Sequence, residues 1–315
     1  MKRRKLIGLL FTTAALAVCS PTESPAAAKT VRLLTVGNSF ADNALTYLPQ
    51  LAAAAGHELI VARANLGGCS FERHWNHVAA YEADPKSKDG SPYSGGKRSL
   101  ADMLKREPWD FITIQQVSYK SHDPATYAPY AEKLHYYIAE RAPQAKIMIH
   151  QIWAYRVDDP RFVPKNKGRE PHTQQVMYEQ VRRTYHAIAK QLGIDIIPSG
   201  DAMYRADTNP RWGYRPDSSF DAAAAAYPTR PEQKHSLHVG WSWRKNKDGG
   251  HTLRMDGHHA SEAGKYLIGC VWFETFFGTR AVDNGFVPEA LGTDYAAFLR
   301  ATAHEAVAGL AKESR

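Results

Sequence analysis

From residue 31 to about residue 200, short apolar runs alternate with helical patterns, and that alternation leaves few folds open. The runs at 31–36, 59–64, 111–114, 147–151 and 194–197 are brief and rich in β-branched residues, and polar and apolar positions do not alternate within them. This is the pattern of strands covered on both faces. Helical patterns lie between them at 43–55, 98–106, 125–142 and 172–192, and two closing helices are expected at 262–277 and 294–310. Strands and helices in strict alternation predict an α/β fold with a parallel sheet and right-handed crossovers. Ligands of such sheets bind beyond the carboxyl ends of the strands. Gly37 and the loops at 65–70, 115–118 and 152–155 should therefore share one edge. Pro49 conflicts with a straight helix over 43–55, so that helix either kinks or begins later.

Two segments interrupt the alternation. Residues 82–97, EADPKSKDGSPYSGGK, read as a solvated loop. Residues 207–250 form an apparent insertion carrying Trp212, Tyr214, Phe220, Tyr227, Trp241 and Trp243 among Pro, Arg and Asp. A loop of that length in a compact domain is usually functional or holds small elements of its own. The N-terminus reads as a targeting segment. Lys2, Arg3, Arg4 and Lys5 precede an apolar stretch over residues 6–18, and Ala26-Ala27-Ala28 offers a cleavage site, so 1–28 is expected to be a signal peptide and 29–315 one domain. Leu16-Ala17-Val18-Cys19 keeps open a lipid anchor at Cys19. The expectation is export to the periplasm or the outside of the cell, without a membrane span. Removing 1–28 takes away four bases and one acid, lowering the formal charge from +8 to +5. With no dense basic run, nucleic acid is not an expected partner. Cys69 and Cys270 would remain, as two free thiols or a single bridge.

Four blocks carry chemistry. GNSF at 37–40 follows the first strand and places Ser39 where a helix begins, with Asp42 as a candidate cap. NLGGCS at 65–70 follows the second, and its paired glycines can present backbone N–H groups to a ligand. In WDFITIQQVS at 109–118 an apolar strand ends in two amides, Gln115 and Gln116, either of which could donate to an oxyanion. RMDGHHASEAGKYL at 254–267 sets Asp256 and His259 three apart ahead of the last amphipathic helix, a base and its orienting carboxylate, with Gly257 allowing the turn. Asp256, His258, His259 and His251 also suggest a metal site. Neither H-E-x-x-H nor paired C-x-x-C is present, and no metal or other cofactor is expected.

In order, these four blocks resemble the SGNH (GDSL-like) hydrolase superfamily, over most of residues 31–278, and are most similar to a branch with a G-N-S-F nucleophile block. The resemblance implies a flavodoxin-like three-layer α/β/α sandwich with a central parallel sheet, and a serine esterase mechanism without metal. It makes Ser39 the nucleophile, His259 the base and Asp256 its orienter. Ser39 with Gly67 or Gly68 would form the oxyanion hole. The superfamily's usual Gly-x-Asn-Asp loop is replaced by Gln115-Gln116-Val117-Ser118, so the amide donor lies between the two glutamines, with Gln115 preferred. Asn38 stands where the commoner pattern has Asp. The aromatic-rich insertion, with Arg and Asp to meet hydroxyls, suggests an ester of a carbohydrate or similar polar molecule, with Trp153, Trp241 and Trp243 as substrate contacts. Two other readings compete: a non-catalytic glycan-binding protein on the same fold, and a metal-dependent hydrolase.

Overall fold

The computed structural model describes residues 27–162 and 171–313, so residues 1–26, with Cys19 and most of the expected signal peptide, lie outside the described residues. The chain runs β1 (Thr30–Gly37), α1 (Ser39–Ala44), α2 (Leu48–Ala54), β2 (Glu58–Asn65), α3 (Phe71–Ala83), α4 (Tyr93–Gly96), α5 (Leu100–Lys105) and β3 (Phe111–Ile114). It continues through α6 (Tyr130–Arg141), β4 (Lys146–His150), α7 (Gln174–Leu192), β5 (Asp195–Ile197), α8 (Ser199–Asp207), β6 (His238–Lys245), β7 (His251–Ala260), α9 (Glu262–Phe277) and α10 (Thr293–Glu313). β1 to β5 form one parallel sheet in the order 2-1-3-4-5, the flavodoxin-like order. The strands bury Leu33, Leu34, Val36, Ile112, Ile114, Ile149 and Ile197 completely or almost so, as expected of strands covered on both sides. α3 packs on α6, while α9 packs on α1, α2, α8 and α10. The chain is thus a three-layer α/β/α sandwich.

Local chemistry sets most of the element ends. Ser70, Thr173 and Ser261 cap α3, α7 and α9 through their hydroxyls, and Ser99 with Asp102 forms a reciprocal capping box on α5. Gly193 and Gly278 end α7 and α9 in the left-handed region, φ 65° and 66°, which favours glycine. Pro49 resolves the conflict over 43–55 by splitting the helix: α1 stops at Ala44, and Pro49 lies in the first turn of α2, where a missing N–H costs nothing. α9 is buried around most of its circumference because the sheet lies on one side and α10 on another.

Several elements depart from the sequence reading, among them α8, for which no helix is expected there. α3 has no pattern there because its buried stripe is Phe71, His74 and Val78, with a histidine in an apolar position. The 82–97 segment is not wholly solvated: Tyr93 is buried and its hydroxyl meets His74 Nδ1 at 2.8 Å. The 207–250 insertion contains β6, which pairs antiparallel with β7, so the Asp256–His259 segment is strand rather than loop. Cys69 and Cys270 are both free and buried, and burial pushes each thiol up to about 12. No helix among the described residues is long and apolar enough to cross a membrane.

His74 and His150, like His238, are locked into the interior. His74 Nε2 donates to the Gly37 carbonyl at 3.0 Å; His150 lies between Gln115 Oε1 and Ser199 Oγ, each at 3.0 Å. Burial pushes both imidazoles down to about 3. Above the ordinary histidine value of ~6.5 both are neutral, folded or unfolded, and contribute no pH dependence. Below it only the unfolded chain takes up the protons, so stability falls as pH drops from about 6.5 towards 3, by about 1.4 kcal/mol per pH unit for each histidine. Thermal melts should therefore lose ~2 kcal/mol per histidine between pH 7 and pH 5. His150→Gln should flatten that dependence by about one proton. An unchanged slope would show that His150 takes no part.

Candidate active site

β1 carries the chain to the carboxyl edge of the sheet, and Asn38 turns it into α1. Asn38 is extended (φ −144°, ψ −160°), and its Oδ1 accepts the Phe40 N–H at 3.1 Å. That cap sets Ser39 as the first residue of the helix. The Asn38 amide also donates to the Cys69 carbonyl at 3.0 Å, which ties this turn to the 65–70 loop. β1 and β3 are neighbours with crossovers leaving in opposite directions, so Ser39 stands at the point where strand order reverses.

β7 brings the other two groups from more than 200 residues away. His259 Nε2 lies 2.8 Å from Ser39 Oγ, and His259 Nδ1 lies 2.8 Å from Asp256 Oδ2. A carboxylate can only accept, so Nδ1–H donates to Asp256 and Nε2 is left to accept the Ser39 hydroxyl proton. Asp256 Oδ1 takes the His259 backbone N–H at 3.1 Å and stands 3.0 Å from His258 Nδ1. Burial opposes the Asp256 charge, but the hydrogen bonds from His258 and His259 outweigh it and hold the carboxyl well below the usual carboxylate range. The ribbon holding these groups is docked on the loop after β4. The Arg156 N–H donates to the Gly257 carbonyl at 2.8 Å, and the Trp153 indole N–H to the His258 carbonyl at 2.9 Å. On the other side the Ala260 N–H donates to Asn43 Oδ1 of α1 at 2.8 Å.

Ser39, His259 and Asp256 are therefore brought together, while the two glutamines and Trp153 are used differently from the sequence expectation. Gln115 is 1% exposed and turned beneath β1; its amide donates to Asn38 Oδ1 at 2.7 Å. Gln116 is 0% exposed; its Oε1 accepts the Phe71 and Val117 N–H groups and its amide donates to the Thr126 carbonyl. Side chains at the end of a covered strand point into one layer or the other, so neither amide reaches an oxyanion. Gly67 and Gly68 remain: both are exposed, Gly68 has φ +59°, and a Cβ added at either would meet nothing within 4 Å. Trp153 is also no substrate contact, being 0% exposed with its ring 4.3 Å from that of Phe40. Trp241 and Trp243 lie opposite Met255 and Leu253, on the face of the ribbon away from the Asp256–Gly240 pair, and the Trp243 indole donates to the Thr229 carbonyl.

The fold and site define an α/β protein with a serine–histidine–aspartate array at the switch point of its sheet. The chain belongs to the DUF4886 family, a domain of unknown function whose model matches residues 32–216. It is similar to the crystal structure of a DUF4886 family protein from Bacteroides uniformis, at 27% identity and a TM-score of 0.67, over 89% of this chain and 95% of that one. Two further solved structures are similar to the chain at a lower level. A candidate SGNH hydrolase from Slackia heliotrinireducens is 22% identical with a TM-score of 0.46, over 78% of this chain and 98% of that one. The aryl esterase of M. smegmatis is 16% identical with a TM-score of 0.41, over 79% and 99%. No curated protein matches the chain.

Sequence reasoning missed the support beneath the site. Ser199, His150, Gln115 and Asn38 form one buried chain of hydrogen bonds ending at the turn before Ser39. Arg156, wholly buried, grips Asp158 through two nitrogens at 2.6 and 2.9 Å and reaches Gln233 at 2.6 Å. The cap expected at Asp42 is made by Asn38 instead, because the helix begins at Ser39 and Asp42 lies inside its first turn. Gly257 also has a reason other than a turn. A Cβ there would lie 2.2 Å from Asp159 Oδ2, and Asp159 is held in place by Arg161. Gly257→Ala should push the ribbon off its seat, lowering stability by about 1–3 kcal/mol and displacing His259 from Ser39. Melts together with turnover of the reaction assigned below test this; wild-type values in both would show that Asp159 yields freely.

Proposed function

We propose that the chain is a serine esterase of SGNH type, exported, that removes small acyl groups from a carbohydrate or a comparably polar alcohol. The single observation carrying the reading is the continuous chain Ser39 Oγ–His259 Nε2, His259 Nδ1–Asp256 Oδ2, with 2.8 Å at each step. That arrangement suits acyl transfer. Ser39 Oγ attacks the ester carbonyl carbon while its proton passes to His259 Nε2. The resulting imidazolium is stabilised by the Asp256 carboxylate and then protonates the departing alcohol. Water, deprotonated by His259, cleaves the acyl–Ser39 bond and regenerates the hydroxyl. The oxyanion is assigned to backbone N–H groups, those of Ser39 and of Gly67 or Gly68. Among the described residues no acceptor takes these N–H groups within the protein. The rim near Ser39 is polar, with Asn65 donating to Asp42 at 2.8 Å and Arg63 3.9 Å from Asp42, which suits a polar alcohol better than a long acyl chain.

The test is a screen of the purified protein on acetylated and methyl-esterified polysaccharides and on a short chromogenic ester. Ser39→Ala and His259→Ala should each reduce kcat by about four orders of magnitude with unchanged melting temperature, and Asp256→Asn by two to four orders. Wild-type turnover in Ser39→Ala would end the reading. Activity on the chromogenic ester with none on any polysaccharide would leave the esterase assignment standing and remove the carbohydrate. A second expectation follows from the buried amides. Gln115→Ala leaves Asn38 Oδ1 short of a donor and should lower melting temperature and kcat together. Removing a true oxyanion donor would instead lower kcat by about 10²-fold at constant stability.

A further inference from the structure

Asp256, His258 and His259 bring one carboxylate and two imidazoles to one point, with ligand atoms that all lie within 4.8 Å of one another. The Nδ1 atoms of His258 and His259 stand 3.0 and 2.8 Å from different oxygens of the same carboxylate, and the two rings are 4.0 Å apart centre to centre. Acyl transfer uses only one of these imidazoles. His258 nevertheless presents its Nδ1 to Asp256, while its carbonyl is held by Trp153. Two imidazole nitrogens and a carboxylate oxygen are a donor set that zinc takes with a water in the fourth position. Donor atoms bonded to a tetrahedral zinc at ~2.0–2.1 Å lie ~3.3 Å apart, so the two present pairs would open by about half an ångström. The His258 and His259 side chains are about one-third exposed, which leaves the cluster open to an ion from solvent.

We propose that a zinc ion binds reversibly at Asp256, His258 and His259, and that the protein with zinc bound is inactive. The inactivation rests on the esterase reading above; the metal site does not. Zinc on His259 Nδ1 takes the position of the Nδ1 proton. The neutral ring then carries its proton on Nε2, the one lost at Nδ1 being matched through solvent by the one gained. Nε2–H donates to Ser39 Oγ where it previously accepted, and Ser39 loses its base. Asp256, bound to the metal, no longer supports an imidazolium. No covalent bond is made or broken, so a chelator restores the active form.

The test is calorimetric titration of tag-free, chelator-stripped protein with zinc chloride, run beside ester hydrolysis at the same zinc concentrations. Wild-type protein should bind one zinc per chain, lose activity in proportion to occupancy and recover it with EDTA. Ser39→Ala, which removes no ligand, should bind zinc as the wild type does. His258→Asn keeps a side-chain amide within reach of Asp256; it should raise both the zinc dissociation constant and the inhibitory concentration by about tenfold or more. His258→Gln and a melt of each variant separate lost ligation from lost folding. No saturable binding, unchanged affinity in folded His258 variants, or faster hydrolysis with zinc would overturn the proposal. Binding that depends on His258, in a protein whose ester hydrolysis survives Ser39→Ala, would support the metal site and overturn the esterase reading alone.

Discussion

The seating of the β6–β7 ribbon on the loop after β4 is the contact on which the site depends. Ser39 is placed by the sheet, but Asp256 and His259 belong to a two-stranded ribbon that has no strand partner in that sheet. A free ribbon of two strands is only marginally stable in water. Here it is fastened by main-chain atoms: Gly257 and His258 give their carbonyls to Arg156 and Trp153, and Ala260 gives its N–H to Asn43. Because those anchors are the neighbours of Asp256 and His259 in the chain, the position of the His259 imidazole relative to Ser39 is set to within a hydrogen bond. Arg156 completes the seat from below, its guanidinium lying against Gly240 on the opposing strand, where a Cβ would come within 2.1 Å of it. A buried charge of that kind is tolerable only because Asp158, Gln233 and the Tyr214 ring surround it.

Beneath Ser39 the support is polar rather than apolar. The Asn38 carboxamide is used at both ends, and its oxygen receives Gln115, which His150 and Ser199 hold in turn. In a low-dielectric interior each of these bonds is costly to break, and together they give the turn one geometry. His74 does the same for the preceding residue by holding the Gly37 carbonyl. His74 and His150 thus act as neutral hydrogen-bonding spacers, a role that their depressed proton affinity makes possible. The glutamines after β3 belong to the same system: one supports Asn38, and the other joins α3 to the segment at Thr126. Neither amide is free to meet a ligand, whereas exposed Gly67 and Gly68 leave room for one.

Much of the frame was legible in the amino-acid sequence. Apolar runs without alternation gave the five strands to within a residue or two, since strands buried on both faces can carry almost nothing else. Ser39, Asp256 and His259, which the structure brings together, were legible because such side chains stand out at strand and helix ends. What stayed hidden has physical causes. α3 has a histidine in its buried stripe, and that histidine makes sense only beside Tyr93 and Gly37. β6 lies in a stretch of mixed aromatic and charged residues whose strand character comes from its pairing with β7.

The sequence by itself determined the layer order, the sheet edge that carries the site and the three groups able to act there. These follow from local patterning and from the limited set of folds that such patterning permits. The tertiary structure alone decided where each amide and each indole points. Gln115, Gln116 and Trp153 stand at strand ends beside the site, where the residue type suits either a ligand contact or an internal hydrogen bond. Their burial and partners come from residues 35 to 105 positions away, at His150, Phe71 and His258. No local pattern records such a partner, because the hydrogen bond exists only once the sheet, the helices and the ribbon have been brought together.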